Sequence, residues 1–145
     1  MTTPAEEFRE VAGGFTARVE GVAPDGWEVP SPVPEWTARD VVRHLVEWFP
    51  AFLEGGAQIT LAAGPSVDED PVGAWAALAS GVQALLDDPA YAGRVLSNPH
   101  IGDVPLPTAV SQFFTGDVFL HTWDLARATG QDDRLDPERC AVMVA

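Results

Sequence analysis

Residues 108–130 read TAVSQFFTGDVFLHTWDLARATG, and the fold follows from how this stretch is read. Phe114, Val118 and Leu125 recur at helical spacing, with His121 in line with them. The pattern holds from Thr108 to Thr129, and Gly130 stands where a left-handed residue would close the helix. At the α-helical rise such a segment is about 30 Å long, the length of a bundle helix.

Working outward, three earlier segments carry the same periodicity. Thr3-Pro4-Ala5-Glu6 has capping-box spacing with proline at the first helical position, and Phe8, Val11, Ala12, Phe15 and Val19 form the apolar stripe behind it. A loop from Gly21 to Glu35 follows, where Pro24, Pro30, Pro32 and Pro34 deny the backbone the donors of a helix or central strand. Thr37 opens the second helix, with Asp40 in its first turn and Val41, Leu45, Trp48 and Phe52 on one face. Pro50 is expected to bend or restart that helix. Asp70-Pro71 caps a third helix with Val72, Trp75, Leu78, Ala79, Val82, Leu85 and Leu86 facing inward. From Asp87 to Pro107 the chain is turn-rich, and no convincing strand alternation appears. The expected fold is therefore all-α: a four-helix bundle forming one domain over residues 1–145. Asp136-Pro137-Glu138 starts a short fifth helix that ends at Ala145 after two turns, as in a chain lacking its natural C-terminal segment.

Composition narrows the function. Hydrophobic residues make up 46% of the chain and charged residues 21%, a globular balance. Eight arginines, no lysine and 22 acidic residues give a net charge of −14, which disfavours nucleic acid and anionic membranes as partners. No apolar run approaches the ~20 residues of a membrane span, and the polar, acidic N-terminus is unlike a signal peptide. The cytoplasm is the expected compartment. Cys140 is the single cysteine, so neither an internal disulfide nor a cysteine-type zinc site is available, and its apolar surroundings read as a packing position.

Histidine is scarce and placed informatively: there are three. His44 lies three residues past Val41 and four before Trp48, on or beside the core face of the second helix. Asp117 precedes His121 by four residues, so both project from one face of the fourth helix. A carboxylate on an apolar face needs a partner, because burying it alone costs several kcal/mol. Arg39, Arg43 or Arg127 could neutralise Asp117, or Asp117 and His121 could simply bond to each other. A divalent cation held by His44, Asp117 and His121 would satisfy all three groups. Two imidazoles and a carboxylate with open positions are the ligand mixture of catalytic zinc and of non-haem iron or nickel sites.

Two stretches carry a family resemblance. Trp36-Thr37-Ala38-Arg39-Asp40-Val41-Val42-Arg43-His44-Leu45 resembles the first metal-ligand helix of the DinB-like superfamily. Residues 117–130 resemble the helix of actinobacterial metal-binding proteins related to mycothiol-dependent maleylpyruvate isomerase. The resemblance implies an up-and-down-type bundle with a long crossover, and a metal triad of His44, Asp117 and His121. In the isomerase the carboxylate ligand is a glutamate, so the shorter Asp117 implies a metal nearer the fourth helix or one bound less tightly. It further implies mycothiol, or another low-molecular-weight thiol, as co-substrate of a transferase or isomerase acting on a small electrophile. Zinc is the expected ion, with nickel or iron as alternatives, and a homodimer is one assembly left open. The competing reading is a non-catalytic metal-binding or ligand-sensing bundle.

Other residues receive plainer expectations. Asp124 and Arg127 are three apart and read as an ion pair. Trp36, Trp48, Trp75 and Trp123 read as core, Trp123 being the candidate to line the metal pocket, while Trp27 would cover one end of the bundle. His100 reads as a solvent-facing loop residue that could lean over the site, and Glu47 as a fallback ligand.

Overall fold

The computed structural model describes residues 2–144. Its helices are α1 (Pro4–Glu20), α2 (Ala38–Ala57), α3 (Pro71–Asp87), α4 (Leu106–Ala109), α5 (Gly116–Thr129) and α6 (Pro137–Val144). A π-helical segment, Val110–Thr115, joins α4 to α5, so the three run as one helical rod. The caps follow from the sequence. Thr3 accepts from the Glu6 N–H at the start of α1. Thr37 and Asp40 make both bonds of a capping box on α2, and Asp70 accepts from the Gly73 N–H ahead of α3. Gly130, at φ +70°, closes α5 in the left-handed conformation expected of it.

Four helices form a ring in which α1 packs on α3 and α5, and α2 packs on the same two. Helices α1 and α2 thus occupy opposite corners, and residues 21–37 form the long connection between them. That connection is pinned to the start of α2 by the Ala38 N–H to Val29 carbonyl bond and the Arg39 N–H to Trp27 carbonyl bond, each 2.9 Å. The core between the helices holds Phe8, Phe15, Phe49, Trp75 and Phe114, all essentially inaccessible to solvent. Helix α2 continues through Pro50 without a restart. Val72, expected to face inward, is 38% exposed. No described helix is long and apolar enough to cross a membrane.

The connection from α3 to α4 contains a feature that periodicity does not show. Val95–Asn98 (β1) and Gly102–Pro105 (β2) form an antiparallel hairpin, with Leu96 opposite Val104 and Asn98 opposite Gly102. Of its eight residues only Leu96 is buried, so there is no apolar alternation to read. Leu96 packs against the end of α2, where Gly56 makes room: a Cβ there would lie 2.7 Å from Leu96 Cγ.

Candidate metal centre

The π-α5 rod and α2 are neighbours in the ring, and their facing sides carry the site. His44 and Trp48 stand one turn apart on α2, while Asp117, His121 and Asp124 follow one face of α5. The structure brings His44, Asp117 and His121 together, with one donor atom from each within 4.8 Å of the others. His44 Nε2 lies 2.8 Å from Asp117 Oδ2, and His121 Nε2 lies 3.3 Å from Asp117 Oδ1. The two imidazole centroids are 4.9 Å apart with 66° between their planes.

Two further bonds surround this cluster. The Trp48 indole N–H donates to Asp117 Oδ2 at 3.0 Å, and His121 Nδ1 meets Asp124 Oδ2 at 2.8 Å. Neither role was read from the sequence. The sequence places Trp48 in the core and pairs Asp124 with Arg127, but Arg127 pairs with Asp133 instead, 3.1 Å away. The available signal was spacing: Trp48 is four past His44 and Asp124 three past His121. None of the candidate arginines reaches Asp117. Arg39 binds Glu28, and Arg43 binds Asp40 and Asp68.

Burial pushes the Asp117 carboxyl up, but the hydrogen bonds and charges of His121 and His44 outweigh it and hold the group below the ordinary carboxylate value. For His121, burial pulls downward, and Asp117 and Asp124 together outweigh that pull, leaving the imidazole above its ordinary value. Asp117 is thus ionised at neutral pH, as a metal ligand must be.

Beside His44 a groove of about 510 Å³ opens to solvent, lined by Trp36, Asp40, Arg43, His44, Glu47 and Trp48. The Trp36 ring lies 5.1 Å from His44 and 6.0 Å from His121, centroid to centroid. It is Trp36, not Trp123, that roofs the histidines. Trp123 is 39% exposed on the outer side of α5 with the Arg127 guanidinium 5.4 Å from its ring centroid. The residue before Trp36, Glu35, has φ +70°, a left-handed conformation costly for a side-chain-bearing residue, and it turns the chain just ahead of Trp36. Glu47 lines the groove without reaching the cluster, and His100 is exposed on the hairpin turn.

The donor set fits a divalent ion. Ligands of a tetrahedral zinc at ~2.0–2.1 Å stand roughly 3.4 Å apart, so the 2.8 Å pair of His44 and Asp117 would open by ~0.6 Å and no pair would close by more than ~1.4 Å. Two imidazoles and an ionised carboxylate supply three bonds and leave positions for other groups.

Fold and cluster together define an all-α bundle with a His–Asp–His cluster on facing helices. Residues 8–126 match the family described as mycothiol maleylpyruvate isomerase N-terminal domain, and the chain belongs to that family. Two uncharacterized proteins of Mycobacterium tuberculosis, from strains CDC 1551 and H37Rv, are each 31% identical over 146 residues, covering 93% of this chain and 72% of the relative. No solved structure gives a significant match.

Proposed function

We propose that the chain binds one divalent metal ion through His44, Asp117 and His121 and uses it to activate a low-molecular-weight thiol toward a small electrophile. The observation that carries this reading is the convergence of those three donors, from two helices, beside an open aromatic groove. Membership of a family named for mycothiol supports that thiol as the co-substrate. A bound divalent cation would lower the pKa of a thiol at its open position and favour the nucleophilic thiolate. The chain's own residues do the rest. Asp117 contributes a fixed negative charge, Trp48 and Asp124 hold two of the three ligands in place, and Trp36 and Trp48 present apolar faces to the groove where a substrate would lie. Transfer of the thiol, or isomerisation assisted by it, is the reaction class; zinc is the ion expected, with nickel and iron as alternatives.

A second, purely structural reading has one observation in its favour: Asp117 already finds partners in His44, His121 and Trp48 without an ion. Elemental analysis of protein purified without a metal-affinity tag decides between them. About one equivalent of metal per chain, abolished in Asp117→Ala and His121→Ala, is expected; full occupancy in Asp117→Ala would remove the assigned triad. Thiol binding is then tested on the cobalt-substituted protein, where mycothiol should add a near-ultraviolet charge-transfer band. No band with any cellular thiol leaves a metal-binding bundle that does not activate thiols.

A further inference from the structure

We infer that Asp124 is a positioning residue for the metal centre: its carboxylate fixes the proton of His121 on Nδ1 and so presents a bare Nε2 to the ion. The inference rests on the metal-binding reading above, but its geometry stands in the chain itself. His121 has a carboxylate at each end of its ring. Asp124 Oδ2 is 2.8 Å from Nδ1, whereas Asp117 Oδ1 is 3.3 Å from Nε2. A neutral imidazole carries one ring proton, and the shorter contact is where the stronger hydrogen bond forms. The tautomer with N–H on Nδ1 is the one whose lone pair points toward Asp117 and His44, where the ligands converge.

The surroundings reserve Asp124 for this task. Its side chain and that of His121 are each only 14% exposed, so water competes poorly for the bond. Arg127, one turn further along α5, is drawn away to Asp133 and leaves Asp124 to the imidazole. Both partners sit on one helix, three residues apart, so the contact is set by α5 alone and does not depend on how α2 packs. His44 is held differently: it hydrogen-bonds through Nε2, to Asp117. The two histidines are therefore unequal, His121 being oriented before any ion arrives and His44 completing the site from the facing helix.

Two measurements test this. In the metal-free wild-type protein, at a pH high enough that the His121 shifts no longer change, its ring nitrogens should report a protonated Nδ1 and an unprotonated Nε2. A protonated Nε2 would overturn the inference whatever the variants do. Zinc affinity is then measured by chelator competition for wild type, Asp124→Ala and Asp124→Asn. Losing such an outer partner lowers affinity by ~10–100-fold. Asn should not rescue, because its amide can turn an N–H toward Nδ1 and drive the ring proton to Nε2. Unchanged affinity in both variants, or a His121 that keeps its Nδ1 proton in Asp124→Ala, refutes the role. A wild-type protein that binds no zinc defeats the metal reading instead, and the nitrogen shifts still decide what Asp124 does to His121.

Discussion

Replacing Phe114 by alanine should destabilise the metal-free protein by about 4 kcal/mol, and the neighbouring Phe113→Ala should cost far less. The Phe114 ring is completely buried. It stacks on Phe49 with centroids 4.1 Å apart and 16° between the planes, and it lies 5.8 Å from Phe8 and 6.0 Å from Trp48. Removing a buried phenylalanine ring costs ~3–5 kcal/mol, the spread reflecting how far the site can collapse. Here the ring separates α2 from the helical rod, and filling the void would require moving one of them. That places the value near the middle of the range or above it, and a loss of about 4 kcal/mol lowers Tm by ~8–16 °C for a domain of this size. Phe113 is partly buried, 5.9 Å from Phe52, and its loss should stay near ~1 kcal/mol. Urea unfolding followed by far-ultraviolet circular dichroism, with the slope checked for constancy, gives both values. Equal losses in the two variants, or less than about 2 kcal/mol for Phe114, would falsify the packing of the helices that carry the ligands.

Three other outcomes follow from the structure. Because the His121 pKa is raised in the fold, its protonated form contributes stability below the ordinary value of 6.5, and that contribution is lost as pH rises through the folded value. Tm of the metal-free protein should therefore show a fall across this range that is absent in His121→Gln, while zinc affinity, which needs the unprotonated ring, should rise over the same range. Gln58 ends α2 at φ +55°, so Gln58→Gly should raise stability by ~0.5–1 kcal/mol in the same urea assay; destabilisation would mean that its side chain matters more than its backbone. Trp48→Phe keeps the ring packing but removes the N–H from Asp117, and should weaken zinc binding by ~10-fold with little change in helix content; an unaltered affinity would show that this bond does not orient the carboxylate.

The parts of this molecule written as helical periodicity could be read directly. Thr37, Asp70 and Gly130 mark helix ends by capping chemistry that acts within a few residues, and the stripe of α1 is buried as its spacing requires. The meeting of His44 with Asp117 and His121 was legible because each lies on or beside the apolar face of its own helix, and the resemblance of those two helices to a metal-binding family pairs them. What could not be read depends on contacts between segments or on competition among partners. The hairpin is held by backbone bonds and a single buried leucine. Whether Asp124 turns to His121 or to Arg127 depends on Asp133, nine residues beyond Asp124, which takes the guanidinium. The placing of Trp36 over the histidines depends on the long loop folding back onto the start of α2 through the Pro30–Thr37 bridge, a contact with no local periodicity.

The π-helical turn between Val110 and Thr115 bears on how this family could diversify. A π segment accommodates one residue more than an α-helix would over the same length. Deleting one residue there would leave an uninterrupted α-helix, and because the wide turn absorbs its extra residue locally, the helix on either side would keep nearly the same phase. The face carrying Asp117, His121 and Asp124 would therefore stay turned toward α2, while the side chains of the wide turn itself would be re-aimed. A single-codon deletion in this turn would thus disturb the packing of Phe113 and Phe114 while leaving the metal centre in place.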